Sequence, residues 1–127
     1  MYVKSKFKCS EMKIPSDITL ECIGVDIHLS REMSLTAICV YRKPTAGPEF
    51  YDQLKALLAT CNHKREILLF GDFNINWENK QDRKKLKLIT EYFNLTQLIK
   101  QPTRITCRTQ STIDLLFSNK PERIKHA

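Results

Sequence analysis

A carboxylate and an amide lie two residues apart in the segment GDFN at residues 71–74, directly after an apolar run at residues 67–70. In a turn, the side chains of Asp72 and Asn74 would reach one pocket. The carboxylate would bind a hard metal ion or accept a proton from water, and the amide would donate to a phosphate oxygen. The alternative is an Asx-type turn that only satisfies its own backbone, and the spacing by itself favours that alternative.

Two strands are predicted upstream of this motif. Apolar residues alternate with polar or small ones over residues 23–29, which is the period of a half-buried strand. Residues 35–41 are apolar and β-branched on nearly both faces, and a polar turn separates the two segments. The pattern predicts a hairpin whose second strand lies deeper in the sheet.

The elements around the motif alternate between helix and strand. Apolar residues recur at helical spacing from Phe50 to Cys61 and from Asp82 to Phe93, and Pro48 suits a first helical turn. The run at residues 67–70 is typical of a strand buried on both faces, and residues 95–99 and 113–117 are further strand candidates. Residues 71–77 therefore follow the end of a strand, where α/β folds often place their chemistry.

The composition describes an ordinary folded protein of one domain. The chain has 127 residues, 42% of them hydrophobic and 28% charged, and only three glycines. The five cysteines are scattered without a CxxC pair, which indicates reduced, mostly buried thiols of an intracellular protein. Residues 1–8 carry three lysines and no apolar stretch, so no signal peptide is predicted, and no run is long enough to span a membrane.

The net charge of +7 favours polyanionic partners such as nucleic acid. Basic residues crowd the start of the second predicted helix at Arg83, Lys84, Lys85 and Lys87. A solvated helix face is the favoured interpretation of that cluster, and phosphate contact is the alternative.

Five segments in order resemble one family. Residues 67–77 (ILLFGDFNINW) resemble the strand and motif of the endonuclease/exonuclease/phosphatase superfamily, specifically the apurinic-endonuclease-like domain of non-LTR (LINE-type) retrotransposons. Residues 40–44 resemble its strand-ending tyrosine motif, residues 101–104 (QPTR) its characteristic loop, and residues 111–117 its late aspartate strand. Residues 1–4 resemble the tail of an earlier strand. The resemblance implies an α/β (α+β) fold, an incomplete four-layer α/β/β/α sandwich.

Four residues take catalytic roles by this resemblance. Asp72 would align or deprotonate the attacking water and bind the metal, and Asn74 would hold a phosphate oxygen. Tyr41 would contact the scissile phosphate, with a core-packing aromatic as the alternative. Asp114 would be a buried carboxylate that orients a catalytic histidine, with a satisfied structural acid as the alternative.

Other candidates receive structural interpretations. Trp77 is expected to pack and rigidify the loop, with base stacking as a lesser option. His28 and His63 are expected to be exposed or structural. His126 lacks the preceding Ser-Asp of the family's histidine motif and is rejected as a substitute.

The resemblance also implies that parts are missing. Residues 1–127 are expected to form a single partial domain without the family's N-terminal strands, its metal-binding glutamate and its C-terminal Ser-Asp-His segment. A lone Asp72 would hold Mg²⁺, the family's cofactor, only weakly, because that ion requires several oxygen ligands. We therefore expect little or no nuclease activity, apolar surface on the remaining sheets and marginal stability.

Three functions follow from these observations. The first is a fragment of a metal-dependent DNA endonuclease that nicks retrotransposon target DNA, located in the nucleus and fused to or encoded beside a reverse transcriptase. The second is a non-catalytic remnant that binds nucleic acid or protein. The third, ranked lower, is a phosphoesterase of the phosphatase branch, which the fold does not exclude.

Overall fold

The computed structural model describes residues 1–125 of the chain. Its elements alternate as the sequence predicts, with two α-helices set among eight strands. In chain order they are β1 (Lys8–Glu11), β2 (Glu21–His28), β3 (Ser34–Tyr41), α1 (Glu49–Ala59), β4 (Glu66–Asp72), α2 (Lys80–Tyr92), β5 (Thr96–Gln97), β6 (Arg104–Ile105), β7 (Gln110–Ser111), β8 (Asp114–Ser118) and a 3₁₀ turn (Pro121–Arg123).

Six strands form one mixed sheet in the order β1-β2-β3-β4-β8-β5. β2 and β3 pair antiparallel, which confirms the predicted hairpin, and β3 lies between β2 and β4 as expected of the deeper strand. β3 and β4 run parallel because α1 carries the chain back between them, whereas β8 is antiparallel to β4. β6 and β7 form a separate two-stranded hairpin.

Both predicted helices are confirmed. α1 begins directly after Pro48, whose ring presets a helical φ of −66°. α2 begins two residues before its predicted start because the side chain of Asn79 caps it, accepting hydrogen bonds from the backbone N–H groups of Gln81 and Asp82 at 2.9 and 3.2 Å.

Two expected strands are corrected. Only Thr96 and Gln97 of the segment 95–99 join the sheet, because the side chain of Gln97 bonds both the N–H and the C=O of Ile99 and turns the chain away. Residues 1–4 are not a strand: Tyr2 is 90% exposed, and a turn closed by the N–H of Phe7 and the carbonyl of Lys4 precedes β1.

The core lies between the helices and one face of the sheet. Side chains alternate across a strand, so Ile38, Leu69 and Phe117, which are register partners in β3, β4 and β8, share that face. They are fully buried against the leucines of α1 and Leu86 of α2. The two helices therefore cover this face, which we call the helix face.

The opposite face, which we call the open face, is covered by neither α1 nor α2. It carries apolar side chains that are mostly half-buried and belong to no part of the core cluster, namely Ile23, Val25, Ile27, Leu35, Cys39, Leu68, Phe70 and Leu116. Ile23 is 54% exposed. The fold is thus mixed α/β, with one helix layer and one sheet, and the predicted exposure of apolar sheet surface is confirmed.

The cysteines are free, but the expectation that most are buried is wrong. Cys9 lies on the edge strand and Cys107 in the β6–β7 turn, and both are exposed; the other three are half-buried. Burial beneath the end of α1, with a contribution from the Asp26 carboxylate, raises the pKa of the Cys61 thiol to about 11. Neither helix of the described residues has the length and apolar character needed to cross a membrane.

Candidate functional site

Three of the four predicted site residues lie in one row across the sheet. Tyr41 is the register partner of Asp72, and Asp72 is the register partner of Asp114. Register partners on neighbouring strands point to the same face, and in the antiparallel pair of Asp72 and Asp114 the Cβ atoms are roughly 4.5–5.5 Å apart, so the three side chains stand together on the open face. Tyr41 is 42% exposed, Asp72 is half-buried and Asp114 is exposed. We call this set the polar row.

The backbone of β4 places Asp72 in that row. The strand extends to Asp72, two residues beyond the predicted run. Phe73 is fully buried on the helix face, packs edge-on against Phe50 and Phe117, and donates its N–H to the carbonyl of Ile113 at 3.0 Å. Because Phe73 is fixed in the core, Asp72 before it must point to the open face.

Gly71 permits the close approach of β3 and β4 beside Asp72. Its φ is +142°, and an added Cβ would overlap the carbonyl oxygen of Val40. Only glycine adopts this conformation without strain. The glycine of the GDFN motif is therefore a requirement of the strand pair.

Asp72 forms the Asx-type turn that the sequence left as an alternative, and this turn is closed by Asn74. The backbone N–H of Asn74 donates to Oδ1 of Asp72 at 3.0 Å, and Asn74 adopts a left-handed φ of 48°. Its side-chain Nδ2 donates to the carbonyl of Arg42 at 2.6 Å. The turn thus fixes one oxygen of the Asp72 carboxylate, and the amide of Asn74 retains a second N–H for another acceptor.

Asp114 differs from its predicted environment. It is exposed and not a buried carboxylate, because β8 begins at this residue and the open face is uncovered there. The N–H groups of Ile113 and Asp114 both donate to Oγ1 of Thr103 at 3.1 Å, and Thr103 is tied by its own N–H to Ser111. The two hydrogen bonds to Thr103 therefore fix the residue at which β8 joins the sheet.

Two residues near the polar row were not predicted. Thr103 anchors Asp114, and Arg42 holds the GDFN turn through its carbonyl and through its N–H, which donates to the carbonyl of Asp72 at 2.9 Å. Both lie inside segments that carry the family resemblance, QPTR and YRKP. Those segments were the signal that pointed to them.

The residues given structural interpretations behave as such. The Trp77 ring packs edge-on against Phe117 with ring centroids 5.4 Å apart, and the backbone N–H of Trp77 donates to the carbonyl of Thr112. His63 stacks on Phe93 and bonds the carbonyl of Leu58 at 2.7 Å, and His28 is exposed at the end of β2. His126 lies outside the described residues.

The donor set of the polar row suits a hard cation only in part. Asp72 and Asp114 offer carboxylate oxygens on one face, which is the ligand type that Mg²⁺ prefers. No group of three or more His, Cys, Asp or Glu side chains within residues 1–125 is placed to hold a metal ion. An ion here would depend on water for most of its ligands.

Residues 35–127 match the family model described as endonuclease-reverse transcriptase, which is more than half of the chain. The chain belongs to the endonuclease-reverse transcriptase family. The matched region contains every residue of the polar row, together with Arg42, Asn74 and Thr103. No curated protein matches the sequence.

Solved structures share the fold of this family member. The endonuclease domain of TRAS1, a telomere-specific non-LTR retrotransposon, aligns with a TM-score of 0.64 at 19% identity over 87% of this chain and 64% of that domain. An endonuclease/exonuclease/phosphatase family protein from Leptotrichia buccalis aligns at 0.57 and 16% identity, over 79% of this chain and 42% of the other. The human Nocturnin catalytic domain aligns at 0.56 and 14% identity, over 94% and 50%. The chain thus spans less than two thirds of each of these relatives.

Proposed function

We propose that the chain is part of an endonuclease domain of the retrotransposon type, which hydrolyses phosphodiester bonds of DNA at the polar row. The observation that carries this proposal is the register that brings Tyr41, Asp72 and Asp114 together at one edge of the open face. The family membership and the likeness to the TRAS1 endonuclease domain support the reaction class.

Each side chain has a role that its position allows. The Asp72 carboxylate, held by the Asn74 N–H, would orient the attacking water and accept its proton. The free amide N–H of Asn74 and the phenol of Tyr41 would donate to phosphate oxygens as negative charge develops. Asp114 would orient a histidine, which residues 1–125 do not place beside it.

The cofactor of this reaction is proposed to be Mg²⁺, with Asp72 as its first ligand and Asp114 nearby. When bound, the ion would neutralise phosphate charge as a Lewis acid. A beta toxin variant of Staphylococcus aureus with a related fold, at 9% identity and a TM-score of 0.50, holds magnesium ions. The two carboxylates here predict weak binding, and therefore little or no turnover by this chain alone.

Nuclear magnetic resonance of the ¹⁵N-labelled chain tests the site without requiring turnover. Mn²⁺ as a paramagnetic probe should broaden the amides of Asp72 and Asp114 first, and Asp72→Asn should abolish that broadening. The matched control is Asp52→Asn, an exposed carboxylate on α1. Broadening that survives in Asp72→Asn, or that is centred on α1, would refute the metal assignment.

Addition of a short DNA duplex to the same sample tests the substrate. Shifts should concentrate on Tyr41, Asp72, Asn74 and Asp114, and a supercoiled plasmid should remain almost uncut with Mg²⁺. Shifts confined to other surfaces would contradict the proposed site. Robust nicking that Asp72→Asn removes would support the site and overturn the expected inactivity.

A non-catalytic role in nucleic-acid binding is the second candidate, and the reverse transcriptase partner and the nuclear location remain proposals with it. The observation that favours it is the lack of a three-ligand metal cluster in residues 1–125, combined with the charge of +7. Binding with a steep salt dependence, without Mn²⁺ broadening at Asp72, would support this candidate over the endonuclease.

A further inference from the structure

A basic groove lies beside the polar row on the helix side of the strand ends. Its walls are the loop from Ala46 to Pro48, the Asn74 turn and the first turns of α2. Three cationic side chains line it, Arg42, Lys84 and Lys85, against a single carboxylate, that of Asp82. The groove is open and about 660 Å³ in volume, which is ample for a phosphate group with its water.

These three cations are not neutralised by ion pairs. The ion pairs among residues 1–125 involve Lys43, Arg65, Lys87 and Arg123 as their cations. Arg42 and Lys85 instead face the ring of Tyr51, at 5.8 and 5.5 Å from its centroid. An aromatic face orients a cation without cancelling its charge, so the groove keeps a positive potential.

Arg42 is held in a defined position. Its guanidinium also lies 5.3 Å from the ring of Phe50, and Nη2 donates to the carbonyl of Ala46 at 3.0 Å. Nε is buried without a partner among the described residues. A guanidinium has five N–H donors; with Nε buried and one N–H of Nη2 bonded to Ala46, the remaining three lie on the two Nη atoms, in a plane that suits phosphate oxygens.

The groove and the polar row meet at Asn74. This residue lines the groove, bonds the carbonyl of Arg42 through its side chain and bonds the carboxylate of Asp72 through its backbone. Because side chains alternate, Tyr41 points to the open face and the next residue, Arg42, to the helix side. A phosphodiester strand passing over this edge would therefore contact both sites in succession.

The basic cluster of α2 divides between two environments. Lys84 and Lys85 line the groove, whereas Lys80, Arg83 and Lys87 lie outside it on the adjoining surface of α2, which Lys84 also borders. Arg83 donates to the carbonyl of Trp77 and lies over its ring, and Lys87 pairs with Glu91 at 3.8 Å. The solvated-face interpretation of the cluster therefore applies to Lys87, which is exposed, and not to Arg83, which is half-buried.

We infer that Arg42, Lys84 and Lys85 form a subsite for a backbone phosphate of DNA, adjacent to the phosphate that the polar row would cleave. The inference rests on the proposed function in taking DNA as the ligand. It adds that the DNA strand is bound from the helix side. Affinity for DNA and the chemistry would then reside in two separate sets of side chains, one on either side of Asn74.

Salt-dependent binding of a DNA duplex, followed by fluorescence anisotropy, tests the subsite. The variant Lys84→Ala/Lys85→Ala should reduce the magnitude of the negative slope of log K against log salt by about 1, the loss of one phosphate contact. The matched variant Lys80→Ala/Lys87→Ala removes the same charge from the same helix and should leave the slope unchanged. All four lysines are exposed, so neither variant should alter the melting temperature.

A second variant, Arg42→Lys, keeps the charge and removes the planar fork. It should weaken binding severalfold while retaining most of the slope, because the charge still contacts the phosphate. A melting temperature measured alongside separates this effect from a loss of fold.

Equal slopes in the two lysine double variants, or failure of the wild-type chain to bind the duplex at low salt, would overturn the subsite. Failure of the endonuclease proposal is distinguishable, because Mn²⁺ broadening depends on Asp72 and not on the lysines. A slope that falls only in Lys84→Ala/Lys85→Ala, without Mn²⁺ broadening at Asp72, would support the subsite and refute the catalytic site.

Discussion

The two faces of the sheet are built from the same strands but differ in what they do. On the helix face, Ile38, Leu69 and Phe117 are fully buried beneath two helices. On the open face, the adjacent residues Leu68 and Phe70 are only half-buried, and the row at its edge is polar. Stability is therefore concentrated on one face and the proposed chemistry on the other.

The largest expected effect comes from neighbouring leucines of β4. Leu69→Ala should lower the free energy of unfolding by about 2–5 kcal/mol, because it leaves a cavity in a closed core. Leu68→Ala on the open face should cost less than half as much, because its side chain already meets solvent. Urea unfolding of the two variants gives both values, and equal losses would mean that the open face is covered in solution.

The next effect lies at Gly71, where the strands approach each other. Gly71→Ala should cost about 1–3 kcal/mol, since the residue would have to hold a positive φ and its Cβ would overlap the Val40 carbonyl. Gly47→Ala is the control, because there the added Cβ meets only the flexible side chain of Glu49. Thermal unfolding compares the two, and a Gly71→Ala protein as stable as the control would show that β3 and β4 are less closely apposed.

A smaller loss in the free energy of unfolding is expected at Glu66, where the 3₁₀ turn covers part of the open face. Glu66 is buried there and pairs with Arg123 of the 3₁₀ turn at 3.1 Å. Glu66→Gln should cost about 1.5 kcal/mol, the low end for hydrogen bonds to charged groups, because Arg123 remains partly hydrated. The control is Glu122→Gln, an exposed carboxylate in the same turn, which should leave the free energy of unfolding unchanged. Chemical denaturation measures both variants. If both lose the same free energy, the loss comes from the change in net charge and not from the ion pair.

The smallest loss in the free energy of unfolding is expected at Thr103, beside the start of β8. Thr103→Ala removes the acceptor of two N–H groups and should cost less than about 1 kcal/mol, because the site is exposed. Its main consequence should be faster hydrogen exchange at Ile113 and Asp114. Thr103→Ser should restore protection, and exchange unchanged in Thr103→Ala would show that Thr103 does not position Asp114.

The sequence was sufficient for the elements whose pattern is local. Alternation predicted the β2–β3 hairpin, and helical spacing predicted α1 and α2, because periodic apolar residues record which side of an element is buried. The family resemblance predicted the α/β fold and drew attention to GDFN. Short edge elements were predicted poorly: the side-chain bonds of Gln97 stop β5 after two residues, and no periodicity encodes such bonds.

The candidate site depended on tertiary structure. Motifs and the family resemblance supplied Tyr41, Asp72, Asn74 and Asp114. Strand register alone places three of them in one row, because its pairs join residues 31 and 42 positions apart in the chain. The exposure of Asp114 and the positions of Thr103 and Arg42 likewise depend on contacts between segments that are distant in the sequence. Sequence spacing determines which face a side chain takes along its own strand, whereas neighbouring strands decide what it meets there.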